Sequence, residues 1–128
     1  MITIGKLSKE TGVKIETVRY YEKIALMPDP LRKESGHRLY GIEQVKQLQF
    51  IKRARELGFS LADIRELIGA DNDPPKCNDV YTLTQNHITK IRENITDLKK
   101  LETRLSTIAK NCERNNEPNC PIIDVLST

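Results

Sequence analysis

"TIGKLSKETGVKIETVRYYEKIAL", residues 3–26, carries two apolar rhythms separated by a glycine. In the first, Thr3 offers a helix cap, Ile4 and Leu7 are apolar, and Gly12 stands where a helix would stop. In the second, Ile15, Val18 and Tyr21 recur at helical spacing, with Ile24 less regularly beyond them. Glu16, Arg19, Tyr20 and Lys23 then fall on the exposed face. Two short helices joined by a Gly-containing turn make a helix-turn-helix, here over about residues 4–23.

Outward from this stretch, "MPDPLRKESGHRLYG" (27–41) holds Pro28, Pro30, Gly36 and Gly41 among the basic residues Arg32, Lys33 and Arg38. Breakers at this density forbid a helix, and the Ser35-Gly36 turn suits a small hairpin. A third helix is expected from about Ile42 to Leu57, with Val45, Leu48, Phe50, Ile51 and Ala54 apolar. "LGFS" breaks it, and Ser60 caps a fourth helix over "LADIRELIG", with Asp63 in its first turn. "ADNDPPKCND" (70–79), with its acids, Asn72 and paired prolines, marks a boundary. From about Lys76 to Asn111 there is neither Pro nor Gly. Val80, Leu83, Ile88, Ile91, Ile95, Leu98, Leu101, Leu105 and Ile108 recur there in steps of mostly three and four. Such a narrow stripe on a long helix suits a coiled-coil seam, and the simplest partner is a second copy of the chain. The expected division is therefore 1–70, a linker and long helix over 71–111, and a loop and tail over 112–128.

The composition, 38% hydrophobic and 30% charged with no Trp, is too poor in bulky apolar mass for one large core. No run approaches the ~18 apolar residues of a membrane span, and "MITIGKLSKE" lacks a signal-peptide apolar stretch, so the cytoplasm is the expected compartment. Residues 1–70 hold 13 Lys/Arg against 9 Asp/Glu, whereas residues 71–128 hold 8 against 9. The first half leans toward a polyanion. No nucleophile–base pair and no phosphate-binding glycine loop stands out, so an enzyme is not expected.

Three cysteines, an odd count in a cytoplasmic chain, are expected as thiols. Cys112 and Cys120 flank seven residues within "NCERNNEPNCPII" (111–123), while Cys77 begins the long helix 35 residues upstream of Cys112. At 1.5 Å per residue the helix separates them by about 50 Å. In an antiparallel pair, Cys77 of one copy would meet Cys112 and Cys120 of the other, giving two sites per dimer. Three thiolates are a soft donor set. With a divalent ion they carry −1, as do two thiolates with a univalent ion, whereas three with a univalent ion leave −2. That bookkeeping favours a divalent ion if Cys77 takes part. Singly, each of these features also fits an incidental thiol or a solvated surface; it is their combination that points further.

The stretches "TIGKLSKETGVKIETVRYYEKIAL", "RLYG" and "QFIKRARELGFSLADIRELI" resemble the MerR family of bacterial transcription regulators across nearly the whole chain. One departure is Ala25-Leu26, where a typical member has Gly-Leu. The resemblance implies a mainly α protein: a winged helix-turn-helix DNA-binding domain, then a long antiparallel coiled-coil dimerisation helix and a short C-terminal metal-binding loop. It implies a homodimer that distorts promoter DNA for RNA polymerase when an effector binds. Carried onto this sequence, Thr17, Arg19, Tyr20 and Lys23 face the major groove, while Arg32, His37, Arg38 and Tyr40 of the wing grip the flanking backbone. Cys77, Cys112 and Cys120 fall where metal-sensing members place ligands. Cys at the first position marks sensors of divalent mercury, cadmium, lead and zinc, whereas "NCPIID" is similar to copper-type tails. Three thiolates suit Hg²⁺ or Pb²⁺; Zn²⁺ wants a fourth ligand, and the loop has no His, only Glu113, Glu117 and Asn side chains, which weakens a zinc-specific reading. The rivals are a univalent Cu, Ag or Au sensor using Cys112 and Cys120, and a redox sensor that joins those two in a disulfide.

Overall fold

A computed structural model describes residues 1–69, 73–112, 114–116 and 118–127. Asn72, Glu113 and Glu117, weighed above as a boundary residue and as oxygen donors, lie outside the described residues. The chain divides into two compact units, Met1–Val80 and Tyr81–Thr128.

In the first unit, α1 spans Ile4–Thr11 and α2 spans Ile15–Lys23. Thr3 caps α1 by accepting from the Lys6 N–H at 3.4 Å. Gly12 ends it at φ 73°, its N–H donating to Ser8 O at 2.8 Å. This left-handed C-terminal step carries almost no cost for glycine, and Lys52 Nζ adds a donor to Thr11 O at 2.7 Å. Strands β1 (Leu31–Arg32) and β2 (Arg38–Leu39) pair antiparallel, Leu31 opposite Leu39 and Arg32 opposite Arg38. Gly36, at φ 87°, lets the hairpin turn. Helix α3 covers Ile42–Glu56; Gly41 N–H donates to Gln44 Oε1 at 2.8 Å where the helix begins. Helix α4 covers Leu61–Ile68, and Ser60 Oγ accepts from Asp63 N–H at 3.1 Å.

The core of this unit is assembled from one face of each helix. Leu7 of α1, Val18 of α2, Leu48 and Ile51 of α3 and Ile64 of α4 are fully buried, with Leu26, Met27 and Tyr40 nearly so. Each such Leu or Ile contributes about 1.5–3 kcal/mol relative to an exposed one. The apolar pattern expected on α3 holds at Leu48, Ile51 and Ala54, whereas Phe50 is exposed. The C-terminus of α2 is tied from two directions: Arg65 Nη2 of α4 donates to Ile24 O at 2.6 Å, and Gln47 Nε2 of α3 donates to Leu26 O at 2.7 Å.

Helix α5 runs unbroken over 34 residues, Cys77–Lys110. None of its residues is buried, and Ile91, Ile95, Leu98, Leu101 and Leu105 all stand exposed. No described helix is long and apolar enough to cross a membrane. The C-terminal segment, expected only as an apolar tail, forms a short helix α6, Pro121–Ser127. Pro121 explains it: at the first helical position its fixed φ is preset and its missing N–H costs nothing. The Asp124 N–H then closes the first turn onto Cys120 O at 3.0 Å.

Ala25 sits immediately after α2 at φ 60°, in the left-handed region where a Cβ is strained by about 1–2 kcal/mol. Glycine would relieve that strain but regain about 0.4–1 kcal/mol of unfolded-chain entropy. Ala25→Gly is therefore expected to raise the unfolding free energy by roughly 0.5–1 kcal/mol. Urea denaturation checks it, and a lowered midpoint at unchanged slope would contradict the strain.

Candidate nucleic-acid interface and metal centre

Helix α2 turns Val18, Tyr21 and Glu22 inward and leaves Glu16, Arg19, Tyr20 and Lys23 on the surface. Residues 16, 19, 20 and 23 share one side because three- and four-residue steps return to the same helix face. Thr17 is half-buried at its margin. The exposed side thus carries two cations, an aromatic ring and one acid. Tyr20 also leans on Tyr21, ring centroids 6.3 Å apart.

The hairpin places Arg32 and His37 in solvent and Arg38 half-buried. Arg32 Nη1 donates to Gly36 O at 3.2 Å, and the His37 ring meets Ser35 Oγ at 2.9 Å, so the tip is internally braced. Tyr40 departs from the expectation of a backbone grip. It is 1% exposed, its hydroxyl donates to Glu22 Oε1, and its main chain exchanges two hydrogen bonds with Ile2 at 2.8 Å each. The reason lies in its position. It follows the last residue of β2, and the period-two alternation puts it on the same face as Arg38, the face that meets Glu22. Burial, then the hydrogen bond to Glu22 and that carboxylate's charge, push the Tyr40 hydroxyl far above its ordinary pKa, partly opposed by Arg38 and Arg19. It stays a neutral donor.

Glu22 was not singled out by sequence pattern, yet it is the buried acid of this unit. Its Oε2 lies 3.2 Å from Arg38 Nε. The contact is one of charge rather than an aligned hydrogen bond, because the buried Nε has no partner at a hydrogen-bonding angle. The spacing did hold a signal: Glu22 follows Val18 by four residues and so shares its inward face.

In the second unit, Cys112 and Cys120 come together. Both are half-buried free thiols, and the Cys112 side chain lies near enough to help lower the Cys120 pKa. The N–H groups of Ile123 and Ile122 donate to the Cys120 sulfur and are the larger causes that hold the Cys120 thiol below its ordinary pKa; burial and Asp124 oppose them. Two soft donors close together, one biased toward thiolate, fit a soft metal ion. Cys77, in the first unit, is exposed at the start of α5. Among the described residues no group of three or more His, Cys, Asp or Glu converges within one chain.

The chain matches two family models: "MerR HTH family regulatory protein" over residues 2–71 and "MerR, DNA binding" over residues 45–108. It is 44% identical over 125 residues to a mercuric resistance operon regulatory protein of Bacillus cereus, covering 96% of this chain and 95% of that protein. Its structure is similar to the transcription regulator PbrR691 of Ralstonia metallidurans CH34, solved in complex with lead(II). The TM-score is 0.81 and the identity 33%, over 98% of this chain and 99% of that one. It is also similar, at TM-score 0.54 and 26% identity over 82% of this chain and 83% of that one, to HiNmlR, a MerR family regulator lacking the sensor domain, bound to promoter DNA.

A lowered thiol pKa means that Cys120 thiolate is stabilised by the fold. That contribution is present above the unfolded thiol's pKa and is lost as pH falls through the lowered one. In reduced, metal-free protein, iodoacetamide alkylation of Cys120 should show a pH midpoint below the ~8.5 of free cysteine. Cys112→Ala should move the midpoint only part of the way back, because the two N–H donors remain. Mass spectrometry of the labelled peptide reads both, and a midpoint above that of free cysteine would contradict the assignment.

Proposed function

The chain belongs to the MerR family of helix-turn-helix regulatory proteins, and from that premise we propose that it is a metal-responsive transcription regulator whose effector is a soft divalent ion, Hg, Cd, Pb or Zn. As a family member it is a DNA-binding regulator and not an enzyme. The observation that carries the metal reading is the proximity of Cys112 and Cys120, with backbone donors aimed at one of the two sulfurs. The mercuric resistance regulator and the lead(II) complex among its relatives support it.

Residues 1–70 form the DNA-binding domain. Thr17, Arg19, Tyr20 and Lys23 face the major groove, and Arg32, His37 and Arg38 meet the flanking phosphates. Such backbone contacts set register and make affinity salt-dependent. Residues 71–111 hold the linker and dimerisation helix. Two α5 helices running antiparallel would cover the exposed stripe and bring the partner's Cys77 to Cys112 and Cys120. Bound metal then ties the 112–128 segment of one subunit to the α5 start of the other. That tie biases the dimer toward a conformation that distorts promoter DNA for RNA polymerase, with the deformation energy serving as the switch. The readiness of Cys112 and Cys120 to pair without Cys77 favours, as a second reading, a two-thiolate Cu⁺, Ag⁺ or Au⁺ sensor. The same proximity is what a disulfide-forming redox sensor would need.

Metal content of the purified reduced protein, followed by competition among Hg²⁺, Cd²⁺, Pb²⁺, Zn²⁺ and Cu⁺, tests the effector. Cys77→Ser should abolish induction by the divalent ions, whereas a retained Cu⁺ response would select the second reading. Cys112→Ser should abolish induction in either case and leave metal-free DNA binding intact. Disulfide formed by peroxide in metal-free buffer, with transcription following it, would select the redox sensor. Arg19→Ala should weaken operator binding by about 1–3 kcal/mol, measured by fluorescence anisotropy; unchanged affinity would remove Arg19 from the base-reading set.

A further inference from the structure

Glu22 lies in the last turn of α2, where a carboxylate meets the negative end of the helix dipole, and it is 9% exposed. Both circumstances are unfavourable for a charge. An acid kept there must be compensated, and both of its oxygens are. Tyr40 donates to Oε1, and the Arg38 guanidinium lies against Oε2 at 3.2 Å. Tyr40 is itself immobile, packed in the core and bridged through its main chain to Ile2. The carboxylate is thus restrained at one oxygen, and Arg38 lies by its Nε edge against the other through charge, with its side chain still 28% exposed. The charges of Arg19 and Arg38 both reach Tyr40. Glu22, on the inward side of α2, thus meets an arginine of the hairpin, while Arg19 stands on the exposed side of the same helix.

We propose that Glu22 is a positioning residue for DNA binding: anchored by Tyr40, it fixes the Arg38 guanidinium of the hairpin at a set distance from the reading face of α2, so that helix and hairpin engage the duplex as one surface. The proposal rests on the DNA-binding roles of Arg19 and Arg38 given above. It makes a claim opposite in sign to simple electrostatics. Removing a negative charge beside Arg38 should strengthen attraction to a polyanion; if Glu22 positions Arg38, binding weakens instead.

The test uses metal-free, full-length protein and a labelled duplex selected from a randomised pool by the wild type, with anisotropy titrations over a series of KCl concentrations. Circular dichroism confirms that each variant is assayed below its melting transition. The slope of log affinity against log salt counts phosphates neutralised, so Arg38→Ala should reduce it by about one. Glu22→Gln, nearly isosteric, should weaken binding about tenfold and reduce the slope by about the same amount. The Glu22→Gln/Arg38→Ala double variant should bind no more weakly than Arg38→Ala. Tyr40→Phe, which deletes only the anchoring hydroxyl, should shift affinity and slope the same way; it carries the test if Glu22→Gln does not fold. A structural role would lower the melting temperature without moving the slope. Overturning results are an unchanged or tighter Glu22→Gln complex, an unchanged slope, or losses that add in the double variant. Failure of the wild type to bind any duplex would remove the DNA-binding reading along with the proposal, whereas wild-type binding indifferent to Glu22 removes the proposal alone.

Discussion

A carboxylate inside a small domain dictates what surrounds it. The effective cost of burying an unpaired charge is several kcal/mol even after relaxation, and a core drawn from short helices has little margin to absorb it. Glu22 therefore selects its neighbours. Its two partners, Arg38 and Tyr40, come from the hairpin and the residue just after it. The hairpin has only two residues in each strand, and its one apolar pair, Leu31 opposite Leu39, is not buried, so strand pairing alone would leave its placement loose. Electrostatics supplies the definition that apolar packing does not.

The second unit is governed by the opposite shortage. Helix α5 has an apolar stripe with none of its residues buried: the series from Ile91 to Leu105 runs from 39% exposed at Ile91 to 63% at Leu98. Isolated helices gain little from propensity and take most of their stability from burying such a face. The steps of four, three, three and four residues between Ile91, Ile95, Leu98, Leu101 and Leu105 keep the stripe narrow, which suits one partner helix rather than a bundle interior.

Much of this was legible in the amino-acid order, because helix signals are local. Thr3, Gly12, Ser60 and the stretch without Pro or Gly from 76 to 111 marked element ends within a residue or so of those observed. Less legible were features that depend on contacts between segments distant in sequence. Tyr40 looked like a surface aromatic beside basic residues, and only its partnership with Glu22, eighteen residues earlier, shows that it belongs inside. Glu22 itself looked like one more charge on a charged helix. The proximity of Cys112 and Cys120 was suggested by their common loop, but the N–H groups that favour thiolate at Cys120 follow from α6, where the sequence marked only an apolar tail. Ala25 is intermediate: its departure from the usual glycine was visible, while the positive φ that gives the departure physical meaning was not.

The bonds from Arg65 to Ile24 O and Ala25 O, at 2.6 and 3.5 Å, fasten α4 to the trailing end of α2 by directional donors rather than by a greasy sliding contact. Packed side chains tolerate a shear of a fraction of an ångström, but hydrogen bonds weaken steeply once bent. A small rotation of α4 must therefore either drag α2 with it or release two carbonyls to water. The domain is built like a crank in which α2 is pinned to α4 as an arm is to its shaft, so that the two helices would turn together.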